Sequence, residues 1–232
     1  MSSKSSNLRS ILFATGLSII VSLALTFAAN QLKPLQEQNQ KLDQQKNIMK
    51  VLGLYSPDEM VSAETLIKRY EQVLELYVNP NGTLSKTETE LPIYILAKQN
   101  RLVAYALPIS GYGLWSTLYG YFSMEADGRT VKGITFYAHG ETPGLGAECD
   151  QPWFQEQFVG KKIVDRSGQF VSVGIVKGSI ENVVSESEYP YYVDGISGAT
   201  VTSVGIQNFI KADLLKYEPF SSRIRKRQSV WE

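Results

Sequence analysis

The chain has 232 residues, with 43% hydrophobic content, 13 Tyr and 9 Phe, which is the composition of a folded protein with a real core. Lys+Arg and Asp+Glu balance at 23 each, so no overall charge draws it to nucleic acid. One Cys (Cys149) and one His (His139) exclude an internal disulfide, a four-thiolate cluster, a Cys/His zinc site and a Cys-x-x-Cys-His haem site, so no metal site is expected and any redox cofactor must be organic or sit in a partner.

Ile11 to Ala29 carry no charge and are mostly Leu, Ile, Val, Ala and Phe. As a helix this run spans roughly 28 Å, close to the ~30 Å of a hydrocarbon core. A cleaved signal peptide is the alternative. The run exceeds the usual h-region of about 7–15 residues and Thr26-Phe27-Ala28-Ala29-Asn30 is a poor cleavage site, so an uncleaved anchor is expected. Lys4 and Arg9 before the span are matched by Lys33 and Lys41 after it, and the positive-inside rule gives no orientation. No charged residue lies inside the span, so no ion path is visible in it.

From Gln31 to about Leu52 the chain is rich in Gln and Lys, with Leu35, Leu42, Ile48, Met49 and Leu52 at loosely helical spacing. This reads as a helix continuing out of the membrane and ending at Gly53. Ser56-Pro57-Asp58-Glu59 offers a helix start. Leu66, Ile67, Tyr70, Val73, Leu74 and Tyr77 then give one apolar face of a helix running to Val78, stopped by Asn79-Pro80-Asn81-Gly82. Strands follow: Pro92–Ala97 and Leu102–Leu107 around a Gln99-Asn100 turn, Leu114–Met124 and Thr130–Tyr137 around Asp127-Gly128, and Phe170–Val176. A Gly-rich loop covers His139 to Glu148, a short helix lies near Trp153–Val159, and a last helix runs from about Thr202 to Tyr217. Val204, Phe209, Ile210, Leu214 and Leu215 are its expected buried residues. Strands and helices segregate, so the class is α+β. The expected divisions are an N-terminal tail at 1–10, a membrane helix at 11–29, a helical stalk with further helices at 30–90, a cofactor domain at 91–220 and a solvated basic tail at 221–232.

The most informative stretch is Asp194-Gly195-Ile196-Ser197-Gly198-Ala199-Thr200-Val201-Thr202, a loop of small residues entering a helix. Such a loop lets backbone N–H groups approach an anion, and the helix start adds positive potential. On spacing alone an ordinary helix cap explains it as well. Its Asp-x-x-Ser-Gly-Ala-Thr pattern resembles the flavinylation motif of the FMN-binding domain family, in which a flavin transferase moves FMN from FAD onto the last Thr. The resemblance implies a phosphate ester on Thr200, making this a phosphoprotein in the chemical sense. Ser197, Gly198 and Ala199 would line the approach and Asp194 would be read by the transferase. Gly140-Glu141-Thr142-Pro143-Gly144-Leu145-Gly146 resembles the family's Glu-Thr-Pro-Gly-Leu-Gly loop, which lies near the flavin; Glu141, Thr142, Gly144 and Leu145 are candidate contacts.

Gly111-Tyr112-Gly113-Leu114-Trp115-Ser116-Thr117-Leu118-Tyr119 is similar to a stretch found in the C-type subunit of sodium-translocating NADH:quinone reductases, with Trp115 as a further candidate flavin neighbour. The same holds for Lys33–Asn39, for Trp153 with Phe158–Lys162, and for Ile175-Val176-Lys177-Gly178. Residues 55–104 and the chain after Phe220 match no quoted motif. The resemblance implies a single-pass protein of the bacterial inner membrane with its domain on the periplasmic side. It would pass electrons beside subunits of the A, B, D, E and F types on the route from NADH to ubiquinone. With no Gly-x-Gly-x-x-Gly fingerprint, no NADH site of its own is expected. The G-type subunit of the Rnf electron-transport complex shares the anchor and both flavin motifs and is the alternative.

Overall fold

The computed structural model describes residues 3–89, 91–99 and 101–231. Asn100 of the first expected turn therefore lies outside the described residues, as does the side chain of Lys4. The chain divides into two compact units, Met1–Asp43 and Gln44–Glu232, so the second unit begins well before the expected boundary at 91.

Helix α1 (Ser3–Leu52) is continuous through Pro34. It contains one stretch long and apolar enough to cross a membrane. Its end is a Schellman motif: Gly53 adopts φ +75°, its N–H reaches Lys50 O (3.1 Å), and Leu54 N–H reaches Met49 O (2.8 Å). The Ser123 hydroxyl donates to Val51 O at 2.6 Å, satisfying another of the last-turn carbonyls.

The expected helix to Val78 is shorter and starts later. Helix α2 spans Ala63–Tyr70, capped by Ser62 and not by Ser56. Ser62→Ala should cost about 1 kcal/mol in chemical denaturation. Strand β1 (Val73–Val78) follows. Val73, Leu74 and Tyr77 fit a helical stripe, but the run Val-Leu-Glu-Leu-Tyr-Val is equally a strand pattern, and a short apolar run does not separate the two. The decision is tertiary: Val73–Tyr77 pair antiparallel with Pro92–Leu96.

The remaining strands are β2 (Leu84–Ser85), β3 (Pro92–Lys98), β4 (Arg101–Tyr112), β5 (Thr117–Glu125) and β6 (Val131–Ala138). They form one antiparallel sheet in the order β2-β1-β3-β4-β5-β6. Leu114 and Trp115, expected in a strand, instead form the β4–β5 connection. Helix α3 (Pro152–Gln155) and a 3-10 turn (Glu156–Phe158) take the place of the expected short helix. Of Phe170–Val176 only β7 (Gly174–Ile175) is a strand, and it pairs in parallel with β8 (Tyr192–Val193). Helices α4 (Thr200–Lys216) and α5 (Glu218–Arg225) close the chain.

Both faces of the sheet are covered, which explains why β4 reads as a nearly continuous apolar run. Ala104 and Ala106 pack with Ile48, Met49, Val51 and Leu52 from the end of α1 and with Leu66 and Tyr70 of α2. Tyr105, Leu107 and Ile109, one residue out of phase, face Ile206, Phe209, Ile210 and Leu214 of α4 together with Phe154, Phe158 and Phe220. Val204 and Leu215, expected in the core, are exposed, because α4 turns the 206/209/210/214 stripe to the sheet. The expected solvated tail is folded: Ser221 and Val230 are buried, and Val230 O accepts from Leu84 N–H at 2.7 Å, covering the edge strand β2.

Candidate functional site

Two clefts meet at the loop that leads into α4. The first, about 400 Å³, is lined by Ile175, Val176, Lys177, Gly178, Gly195, Ile196, Ser197, Gly198, Thr200, Ser203 and Val204. The second, about 440 Å³, lies between Gly144, Glu148, Trp153, Gly178 and Asp194–Ser197. Their walls follow from the short parallel pair. With β7 beside β8, Val176 N–H reaches Val193 O and Gly195 N–H reaches Gly178 O. Side chains then fasten this wall to its surroundings. Gln207 of α4 accepts from Ile175 N–H (2.6 Å), Gln157 from Asp194 N–H (2.8 Å), and Ser203 from Ile196 N–H (3.1 Å).

Thr200 is the first residue of α4 and is exposed on the rim of the first cleft. Ala199 occupies the cap position with no side-chain cap bond, as an alanine must. Ser197 and Gly198 are exposed beside Thr200, and Ala199 is buried. Gly198 sits at φ +74°, which favours glycine, and a Cβ there would stand 2.8 Å from the tip of the exposed Leu145 side chain, Cδ2. That contact joins the Gly140–Gly146 loop to the Thr200 loop. Gly144 and Ser197 line the second cleft together. Thr142 is exposed, and its carbonyl holds the loop's turn by accepting from Leu145 and Ala147 N–H at 3.1 Å each. Asp194 is half-buried on the same wall, its Oδ1 accepting from Ile180 N–H at 2.7 Å.

Two of the expected contacts are arranged otherwise. Trp115 lines neither cleft, and the residue is 71% exposed on the β4–β5 connection. Glu141 is turned away from solvent, 5% exposed, with both oxygens engaged internally. Oε1 accepts from Trp115 N–H (2.9 Å) and Ser116 N–H (3.2 Å), and Oε2 accepts from the Thr202 hydroxyl (2.7 Å). Gly146 packs on this group, since a Cβ there would stand 2.8 Å from Thr202 Oγ1 and overlap Glu141. Burial works against the charge of Glu141, but the Thr202 hydroxyl and the amides of Trp115, Ser116 and Leu114 outweigh it and hold the carboxyl below the usual glutamate value. The folded state therefore binds this proton less readily than the unfolded chain. The resulting stability is present above about pH 4.3 and is lost as pH falls through the lower folded value. In acid titration of unfolding, Glu141→Gln should remove this part of the pH dependence below about pH 4.3.

Sequence reasoning gave no role to Lys177, which lines the cleft shared with Thr200, or to Ser203 and Gln207, which fasten that wall to α4. The Ile175-Val176-Lys177-Gly178 stretch was the available signal. Cys149 is fully buried, and its thiol is pushed up to about 12 by burial and by the nearby Asp150 and Glu141 carboxylates, so it is an inert core residue. His139 lies beside the loop, with Nε2 3.3 Å from Asp150 Oδ2 and Nδ1 accepting from Glu141 N–H at 3.3 Å.

Residues 113–214 match the FMN-binding domain family. Over nearly its whole length the chain is similar to the C-type subunit of the Na(+)-translocating NADH-quinone reductase of Pseudomonas aeruginosa, at 31% identity over 97% of this chain and 99% of the relative. The protein of the same name from Vibrio vulnificus is 33% identical over 97% of this chain and 98% of its own length. The crystal structure of the equivalent Na(+)-translocating NADH-quinone reductase protein from Parabacteroides distasonis aligns with a TM-score of 0.68 at 33% identity, covering 82% of this chain and 97% of that one.

Proposed function

This chain belongs to the C-type family of Na(+)-translocating NADH-quinone reductase subunits, and on that footing we propose that its FMN is held as a phosphate ester on Thr200. The protein is an FMN-binding, membrane-anchored electron carrier and one member of a multi-subunit oxidoreductase. The Rnf-type alternative is set aside, because relatives matching nearly end to end carry the name of the quinone reductase.

The observation that carries the Thr200 reading is the contrast between two hydroxyls of one motif. Thr200 stands exposed on the rim of a cleft of about 400 Å³, whereas Thr202 is buried and its proton is committed to Glu141. The cleft has the size of a small-molecule site. The uncapped first turn of α4 favours an anion, Lys177 adds positive charge on the same wall, and Gly195 and Gly198 line it. In the attachment reaction Thr200 Oγ1 forms a bond to the flavin-side phosphorus of FAD, the pyrophosphate P–O bond breaks, AMP leaves, and the hydroxyl proton is released. A Thr hydroxyl is a poor nucleophile by itself, so the activating groups and metal belong to a separate flavin transferase, with Asp194 in the segment it reads.

Once bound, FMN supplies one- and two-electron chemistry. The chain's own residues hold it: Ser197, Gly198 and Ala199 at the phosphate, Lys177 as counter-charge, and Gly144, Leu145 and Thr142 on the facing loop. Trp115 is exposed on the β4–β5 connection, outside both clefts, where a partner can cover it. Glu141 acts from behind as a support. The partners are the other subunits of the complex, of A, B, D, E and F types, and the domain lies on the periplasmic side of the inner membrane. Co-expression with the transferase should give a denatured band that fluoresces under ultraviolet light; a dark band overturns the assignment.

A further inference from the structure

Thr200 and Thr202 are two residues apart on α4, and at about 3.6 residues per turn they point roughly 200° apart around its axis. When one faces the interior the other faces out, so the rotation of the first turn decides which hydroxyl is presented. The apolar stripe Ile206, Phe209, Ile210 and Leu214 seats the later turns against the sheet. Apolar packing is non-directional and tolerates small rotations, and first turns fray. A directional bond at the first turn removes that freedom.

The structure has such a bond. Thr202 is 1% exposed, and its hydroxyl donates 2.7 Å to Glu141 Oε2 across 61 positions of sequence. Oε1 of the same carboxylate takes the Trp115 and Ser116 amides. One buried group thus ties the first turn of α4 to both the Gly140–Gly146 loop and the β4–β5 connection. A second carboxylate secures the far end of α4: Asp213 Oδ2 accepts from Ser110 N–H at 2.8 Å.

We propose that Glu141 is the positioning residue of the attachment site: by drawing in the Thr202 hydroxyl it sets the rotation of α4, so that Thr200 and not Thr202 meets the flavin transferase. This rests on the Thr200 reading above. Thr202 is then a selector that leaves a single acceptor in a motif with two threonines, and the Gly146 position must stay without a side chain so that the pair can close.

The test uses the full-length chain made without the transferase and then incubated with purified transferase, divalent metal and FAD. Intact mass gives the rate of ester formation, and the tryptic peptide gives its position. Thr202→Val and Glu141→Gln should each lower kcat about tenfold or more, the factor expected when a hydrogen bond to a charged group is lost, with KM changed less because the motif itself is intact. Thr202→Ser, which keeps the donor, should restore the wild-type rate. A merely structural pair would lower the melting temperature and leave kcat alone. Unchanged kcat in Thr202→Val and Glu141→Gln overturns the proposal, and so does a Thr202→Ser as slow as Thr202→Val.

Amide exchange on the wild-type chain keeps the proposal falsifiable if those variants fail to fold. The Trp115 and Ser116 amides, though in a connection between strands, should exchange as slowly as those of β5, and fast exchange there overturns the proposal. Wild type labelled at Thr200 with unaffected variants defeats this inference alone. Wild type labelled elsewhere, or not at all, defeats the Thr200 reading and this one with it.

Discussion

Thr200→Ala should give a folded, membrane-anchored chain whose mass is that of the bare polypeptide, whereas the wild type isolated from its native membrane should be heavier by one FMN less one water. The expected effect is complete loss, because Thr202 cannot take over. It is buried, and its hydroxyl already serves Glu141. Ser203 is buried too, and its oxygen accepts from Ile196 N–H. Ser197 is the remaining exposed hydroxyl of the motif and stands before the helix, not on it. Stability should change little, within about 0.5 kcal/mol, because an exposed N1 side chain without a structural bond is replaced by a good helix former. Thr200→Ala that still carries mass and fluorescence would place the ester elsewhere.

Phe220→Ala should destabilise the domain by about 3–5 kcal/mol, the range for emptying a fully buried aromatic site. Phe220 is 0% exposed and meets Tyr105 edge-on at 5.0 Å between ring centres. The Tyr105 hydroxyl pairs with Ser221 Oγ at 2.8 Å, so the same turn of α5 also satisfies a buried phenol. Arg225 donates to Gly128 O at 3.0 Å and pairs with Glu218, tying α5 to the β5–β6 turn. Lys226→Ala, on an exposed residue of the same segment, should stay within about 0.5 kcal/mol. Urea denaturation of the detergent-solubilised full chain, followed by tryptophan fluorescence, distinguishes the two. Equal midpoints for Phe220→Ala and wild type would mean that the C-terminal segment is the solvated tail its basic residues suggest.

That contrast shows where the sequence was readable. Arg223-Ile224-Arg225-Lys226-Arg227 looks like a solvated end when charge is read locally, yet Arg225 is held by a carbonyl 97 positions away, a partner no local pattern reveals. Val73–Val78 failed for the same reason: its apolar spacing served helix and strand alike until β3 supplied an edge to pair with. By contrast α1 and its end were legible, because an uncharged run of membrane length and a glycine at a helix stop act through neighbouring residues alone. The hairpin at Asp127-Gly128 was legible too, as the Asp127 side chain binds the amides of Arg129 and Thr130 within the turn itself.

The sequence by itself determined the chemistry on offer: an uncharged membrane helix, too few cysteines and histidines for a thiolate cluster or a haem attachment, and a small-residue loop entering a helix with two threonines. These depend on composition and on contacts a few residues long. Only the tertiary structure decided which threonine faces out, that Glu141 is buried against Thr202, and that Lys177 shares the cleft. The physical reason is that exposure of a helical side chain is set by the rotation of its helix. Here that rotation is held by a carboxylate 61 residues earlier in the chain, which acquires its donors only when the sheet, loop and helix have come together.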